Sequence, residues 1–243
     1  GRYALERRRH PAGGRRTVAD CGAAAGKNSP RVAHLVYDLI RGGTEGQCAR
    51  VAMGLTRMGL THRVAVFHRR GYFLDAVEQT CGAIHEVGIR RLVRPSTLRE
   101  IWHLSRWIRS TGADILHAWD ADSAIFGSLS ARLAGVKLVT SRRDLGQIYP
   151  RWKMAMIRHA DRIAARVVVN AEAIRAKIAS EGTPDARIGR LPNMVDLTEF
   201  DAQAGLPFPN EDRLPAGRRM GVVNRLDPEK NTVLLLEALP LVR

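Results

Sequence analysis

The chain has 243 residues, with 39 Lys and Arg against 24 Asp and Glu, a formal net charge of +15. A hydrophobic content of 45% and a charged content of 26% exclude wholesale disorder, and no apolar run approaches the roughly 20 residues of a membrane-spanning helix. Cys21, Cys48 and Cys81 are too few and too unevenly spaced for a disulfide framework or a zinc site, which fits a reducing compartment.

Residues 1–30 hold seven basic and two acidic side chains, +5 of the total, with Gly, Ala and Arg dominant. They read as a solvated, disordered basic tail without the apolar stretch of a secretory signal. From Arg31 onward, short Val/Ile/Leu-rich runs alternate with helical stretches. The first run, Arg31–Tyr37, leads through Asp38-Leu39-Ile40-Arg41-Gly42-Gly43 into a helix over Thr44–Met58. Gly42 and Gly43 either form a bare turn or let the backbone of a helix start approach an anion. Their spacing is not that of a dinucleotide fingerprint, and the second strand, Arg63–His68, runs into Arg69 and Arg70 where such a site needs an acid.

A helix over Phe73–Thr80, a strand over Ala83–Val87 and a helix over Thr97–Ser110, capped by Ser96-Thr97, come next. The strand Asp114–Ala118 contains His117 and runs out into Trp119-Asp120. An imidazole there can bond a sugar hydroxyl or move a proton, or it can simply pack or cap. After a helix over Ser123–Leu133, closed by Gly135, the strand Lys137–Ser141 ends in Ser141-Arg142-Arg143-Asp144. Paired arginines at a strand end suit phosphate or carboxylate, unless Asp144 neutralises one of them. A helix over Arg151–Ala164, a strand over Arg166–Asn170, a helix over Ala171–Ser180 and a strand over Arg187–Leu191 follow. Two of the helices combine Trp with Arg. Residues 97–110 carry Trp102, Trp107, Arg99, Arg106 and Arg109; residues 151–166 carry Arg158, Arg162 and Arg166 on one stripe and Trp152, Met156, Ala160 and Ile163 on another. That pattern serves either packing on a sheet or contact with anionic lipid.

The repeated β–α alternation predicts an α/β protein with a Rossmann-like, doubly wound parallel sheet over residues 31–200. Leu191-Pro192-Asn193-Met194-Val195-Asp196 leads out of it, and residues 201–217, studded with Pro and Gly, read as a linker. A second unit begins at 218–243 with a strand over Arg219–Asn224, a loop Arg225–Lys230 and a helix over Asn231–Leu239. Arg225 and Lys230 stand near that helix start. There they either converge with backbone amides on a diphosphate or stay solvated, with Arg225 paired to Asp227.

In order, Gly42-Gly43-Thr44-Glu45, Asp114-Ile115-Leu116-His117, Ser141-Arg142-Arg143-Asp144, Asn170-Ala171-Glu172-Ala173, residues 191–196 and residues 222–231 form a series. It resembles the family 4 retaining glycosyltransferases of the GT-B fold across residues 31–243, most specifically at Arg225–Asn231. The resemblance implies two Rossmann-like domains facing a cleft, with the acceptor on the first and a nucleoside-diphosphate-sugar donor on the second. It implies transfer with retention to a glycan, lipid-linked or polysaccharide acceptor, as in polysaccharide and cell-envelope synthesis. No metal or other cofactor is implied, because basic side chains take up the charge of the departing diphosphate.

On that resemblance Arg225, Lys230, Gly42 and Gly43 hold the diphosphate, His117 is the catalytic residue beside the transferred sugar, and Arg142, Arg143 and Glu172 touch substrate. Asn224 and Met194 stand where the family has glycines, and Trp119 where some members have a second histidine. The family's acidic E-x7-E element belongs to a part of the second domain beyond residue 243, which implies a fragment inactive by itself. A cytoplasmic location is expected, with peripheral contact to an anionic membrane open to its basic helices. A sugar-nucleotide epimerase of the same architecture is the alternative enzyme. A basic nucleic-acid-binding protein is the alternative of another class, but the chain lacks an RNP-like aromatic motif and zinc-finger spacing and is only 5% aromatic.

Overall fold

The structure, a computed structural model, describes residues 29–88, 95–207, 220–224, 226 and 230–241. Seven parallel strands, β1 (Val32–Val36), β2 (His62–Val66), β3 (His85–Glu86), β4 (Ile115–Ala118), β5 (Lys137–Arg142), β6 (Arg166–Val169) and β7 (Ile188–Arg190), lie side by side in the order β3-β2-β1-β4-β5-β6-β7. The helices α1 (Gly43–Arg57), α2 (Leu74–Cys81), α3 (Pro95–Ser110), α4 (Ala121–Ala134), α5 (Arg151–Ile163) and α6 (Glu172–Ser180) connect them. This is the expected α/β class, a Rossmann-like doubly wound sheet.

Strand side chains alternate between the two faces, so register decides what each residue meets. His34 stands opposite Val64 on one side and His117 on the other. That places Val36, Val64, Val66 and Trp119 with Cys48, Ala49 and Ala52 of α1 and Val77 of α2 in one core. The opposite face, with Leu35, Leu116, Ala118, Val167 and Val169, packs under Leu104 and Ile108 of α3, Phe126 of α4, Ala160 of α5 and Ile178 of α6. Because β2 and β4 flank β1, the connections on either side leave in opposite directions and open a crevice at the carboxyl ends of β1 and β4.

Local signals explain several boundaries. Gly135 takes the left-handed conformation, φ 76°, and closes α4 with its amide on Ala131 and Arg132 carbonyls, as its position after the helix predicts. α3 starts at Pro95, two residues before the expected start, because proline's fixed φ suits a first helical position. Gly71 has no substitute: its φ is 124°, and a Cβ would lie 2.1 Å from the Leu39 carbonyl carbon. That contact, with the bonds Leu39 N–H to Arg70 O and Phe73 N–H to Leu39 O, packs the β2–α2 loop on the β1–α1 loop.

Chain packing divides between Val195 and Asp196. The second unit contains α7 (Leu197–Ala204), which runs into the segment expected as linker, and α8 (Thr232–Ala238), followed by one 3-10 turn, Leu239–Leu241. None of its described residues is buried. The strand expected over Arg219–Asn224 is absent from its described part, residues 220–224, which are exposed and irregular. A strand draws its hydrogen bonds from a neighbour, and no strand pairs with this segment. The expected basic tail, Ser29 and Pro30 apart, lies outside the described residues.

The sheet's most demanding polar contact lies under α5. Arg142 and Asp161 are 5% and 2% exposed, with Nη1 2.7 Å from Oδ2, and Thr140 donates to the other carboxylate oxygen at 2.7 Å. Glu181 stands 3.7 Å from the same guanidinium nitrogen. Removing one member of a buried pair strands the other charge. Asp161→Ala should therefore lower stability by about 3–5 kcal/mol in urea denaturation, whereas Arg142→Met with Asp161→Leu should recover most of that loss.

Candidate functional site

The crevice is organised by Asp120, at the end of β4. One carboxylate oxygen accepts the Ser123 amide at 2.9 Å, capping α4, and the other accepts the Tyr37 amide at 2.7 Å, just past β1. Ser123 Oγ returns a bond from the Asp120 amide, completing a capping box. Burial pushes the Asp120 carboxyl up to about 6, against the pull of its two backbone donors.

The cleft beside Asp120 is lined by Thr44 of α1, Trp119, the Ser141–Asp144 segment, Tyr149 and Ile157. The two adjacent arginines have separate fates. Arg143 crosses the Trp119 ring, its Cζ 5.5 Å from the ring centre, and donates from Nη2 to Asn193 Oδ1 at 2.5 Å. Burial lowers its pKa from the ordinary arginine value, so its charge is only partly solvated. Arg142 also borders the cleft, but its charge is met by Asp161 inside the fold. Asp144, the alternative partner for one of the pair, makes other bonds. It accepts the Gly146 amide at 2.7 Å and the Tyr149 hydroxyl at 3.1 Å, fixing the loop after β5.

His117 lies on the sheet beneath the cleft, 8% exposed, with Nε2 2.8 Å from Ser141 Oγ. Its ring is tilted 4.3 Å from that of Trp119 and lies 5.7 Å from His34. The Trp119 indole N–H donates to His34 Nδ1 at 3.1 Å, which places the proton of neutral His34 on Nε2. Burial, then the nearby Arg143 charge, lowers His117 to about 3, and burial also lowers His34 well below its ordinary value. The imidazoles are accordingly neutral at pH 7.

Gly42 caps α1 in extended conformation, with its amide on the Ile40 carbonyl at 2.8 Å and the Glu45 carboxylate folded over it, whereas a Cβ on Gly43 would meet nothing within 4 Å. Glu172 is exposed in the first turn of α6, 3.7 Å from Arg175. Lys230 belongs to the second unit, just before α8, and Arg225 lies outside the described residues. Among the described residues no group of three or more His, Cys, Asp or Glu side chains could hold a metal ion.

Four further residues, Gln47, Asn170, Asn193 and Met194, fasten the chain that leaves β7. Gln47, buried in α1, accepts the Met194 amide at 2.6 Å and donates to the Met194 carbonyl at 2.9 Å. Asn193 takes Arg143 and also accepts from Asn170 Nδ2 at 3.3 Å. The chain leaving β7 is thereby fastened across β5, β6 and α1. Asn193 falls in the Pro-Asn-Met-Val-Asp series, which was the available signal; Gln47, 147 positions from its partner, gave none.

Sheet order and switch-point crevice define a Rossmann-like domain. The model of Glycosyltransferase Family 4 matches residues 41–199, and the chain belongs to that family. HepE of Anabaena, solved with UDP and glucose, aligns over 88% of this chain and 59% of its own at 15% identity, with a TM-score of 0.66. The lipopolysaccharide outer core galactosyltransferase WaaB, in its apo form, aligns over 68% of this chain and 46% of its own at 16% identity and a TM-score of 0.53. A putative UDP-N-acetylglucosamine 2-epimerase of Listeria monocytogenes aligns over 66% and 44% at 14% identity and a TM-score of 0.50. No curated protein sequence matches the chain. The chain thus spans 59% of the length of HepE and less than half of the other two.

Between pH 6.5 and 3 the unfolded chain protonates at position 117 while the folded chain does not, so stability falls as the pH drops through that window. From pH 6.5 to about 5 the His117 share is about 2 kcal/mol. Asp120, raised to about 6, acts with the opposite sign over roughly pH 4–6, favouring the folded state as pH falls. Urea titrations at about pH 7 and about pH 5 should show His117→Gln losing about 2 kcal/mol less than the parent; equal losses would mean that the ring titrates normally in the fold. For the crevice clamp, Gln47→Ala should cost about 1–3 kcal/mol and speed hydrogen exchange at the Met194 amide. Unchanged exchange would show that Gln47 does not hold this segment.

Proposed function

We propose that the whole protein transfers a sugar, with retention, from a nucleoside-diphosphate-sugar to a glycan or lipid-linked acceptor, and that the first unit binds the acceptor. The observation that carries this reading is the family match across the crevice domain, where Arg143 and the α1 start border one cleft. HepE was solved with UDP and glucose, which supports a nucleotide-sugar donor. Arg143, with a partly desolvated charge beside an aromatic floor, is the acceptor-side anchor. Arg142 is left out of that role, since binding a ligand would have to compete with Asp161.

His117 serves as a neutral hydrogen-bonding group near the transferred sugar. With a pKa lowered to about 3 the ring is not an imidazolium at pH 7 and so does not serve as a general acid. Glu172, in the first turn of α6, is assigned a contact with the glycan. Gly43 offers its backbone N–H to the donor phosphates, the Gly42 amide being bonded to the Ile40 carbonyl at 2.8 Å, and Arg225 and Lys230 meet the diphosphate as it leaves. Fixed cations can stabilise that developing charge without a metal ion.

The test uses the whole protein, calorimetric titration with UDP and with GDP, and excess EDTA. Binding should persist without metal, and Arg225→Ala with Lys230→Ala should weaken it at least about 100-fold, the loss of two charge-assisted contacts at about 1.5–3 kcal/mol each. Unchanged affinity in the double variant would remove those residues from the donor site. Conversion of a nucleotide sugar without any acceptor would replace transfer by epimerisation.

A further inference from the structure

The outer surface of the α3–α4–α5 layer combines exposed large apolar groups with arginines. α4 packs against both α3 and α5, so the three helices form one sheet-covering layer. Their inner sides supply the core, yet their outer sides carry large apolar groups: Leu98 is 67% exposed, Trp102 47%, Trp152 54% and Met156 41%. Ile148, in the loop entering α5, is 63% exposed. Leu98 and Trp102 are one turn apart on α3, and Trp152 and Met156 one turn apart on α5, so each pair forms a short ridge.

The charges on this surface are of one sign. Arg99, Arg106, Arg109, Arg132, Arg151 and Arg162 are all exposed. The layer's three acids are Glu100, Asp122 and Asp161, with side chains 21%, 26% and 2% exposed. Each is paired inside its own layer, to Arg99, Lys153 and Arg142 respectively. Arg99 is thus met by Glu100, and no exposed acid of the layer offsets the other five arginines, Arg106, Arg109, Arg132, Arg151 and Arg162. Arg106 also lies over the Trp102 ring, Cζ 4.7 Å from its centre, so cation and aromatic face share one spot.

The arginine stripe expected on the helix 151–166 takes a different form. Arg158 is half-buried against Glu181, and Arg166 donates to the Ala186 carbonyl. Ala160 is core, whereas Trp152, Met156 and Ile163 point outward. Helices that turn Trp, Leu and Met outward among arginines match a bilayer interface, where apolar groups enter the acyl boundary and cations meet anionic headgroups.

We propose that this outer face docks the protein on an anionic bilayer. Among the described residues no helix is long and apolar enough to cross a membrane, so the contact is interfacial. Helices α3 and α5 begin at the carboxyl edge of the sheet, where the crevice opens. Leu98, Ile148 and Trp152 therefore set that edge against the lipid surface. The inference rests on exposure and charge and does not depend on the proposed sugar transfer.

Vesicle flotation tests it, with phosphatidylcholine containing about one-third phosphatidylglycerol against pure phosphatidylcholine. The chain should float with the anionic vesicles and lose affinity as salt rises. A variant with Trp102→Ser, Trp152→Ser and Met156→Ser should lose at least about tenfold in partitioning. So should one with Arg106→Glu, Arg151→Glu and Arg162→Glu. All six side chains are exposed, so circular dichroism and thermal melting should match the parent. In the parent, brominated lipid should quench the exposed Trp102 and Trp152. Equal flotation of the apolar variant would overturn the proposal and assign binding to other basic segments, the tail included. No flotation of the parent would overturn it too. Lipid-free sedimentation in which the parent dimerises and the apolar variant does not would give the face to a second copy of the chain.

Discussion

The Asp120 carboxylate joins the end of β1 to the start of α4 through two backbone amides, Tyr37 and Ser123. A switch point pulls the chain in opposite directions from adjacent strands, and something has to hold the two strand ends level. A carboxylate does so because it can accept two N–H groups at once, and partial burial strengthens both bonds. The cost is visible in a pKa raised to about 6. Trp119, the preceding residue, is thereby locked as the floor of the cleft, fully buried and bonded through its indole to His34. Arg143 lies over that floor, Asn193 meets Arg143, and Gln47 fastens Met194 beside it. The crevice is therefore a succession of contacts that begins with one capping residue.

Most of the fold was legible because parallel strands covered on both faces are continuous apolar runs, and those runs recur between amphipathic helices. The weaker segment is equally instructive. Val222 and Val223 carry strand propensity, yet their described neighbourhood is irregular and exposed. Propensity expresses fit to a pleated surface with a partner, and without the partner it decides nothing. In the site, local spacing reached Gly42, Gly43, His117 and Arg143 because each stands at the carboxyl end of a strand. It did not reach Gln47, whose partner is 147 residues away, or Asp161, whose role depends on the face that α5 presents to β5.

Arg142 and Arg143 show how little separation is needed for opposite roles. They are consecutive, so a strand's alternation sends one towards the helix layer and the other towards the crevice. Arg142 meets a buried acid and becomes part of the framework. Arg143 meets an amide and an aromatic ring, partners that leave its charge uncancelled. Sequence alone gives the alternation but not its phase, since each side of β5 carries one apolar residue, Val139 or Leu138, among polar ones. The phase is set by pairing with β4, where His117 faces Val139 and Ala118 faces Thr140.

The same distinction resolves the net charge of +15 into different kinds of cation. Arg31, Arg69, Arg70, Arg142 and Arg175 are each met by a carboxylate and contribute to the fold. On the outer face of α3, α4 and α5, Arg99 is met by Glu100 and Arg109 donates to the Leu133 carbonyl, but no exposed acid of the layer offsets Arg106, Arg109, Arg132, Arg151 and Arg162. A field of uncancelled charge costs stability through self-repulsion and is relieved by an oppositely charged surface. Exposed tryptophans among those arginines restrict what that surface can be: a polyanion in water offers charge but no apolar phase, whereas an anionic bilayer offers both. Arg143 in the crevice and the five uncancelled arginines of the helix layer thus answer to different demands, substrate recognition at the first and placement at an interface for the rest.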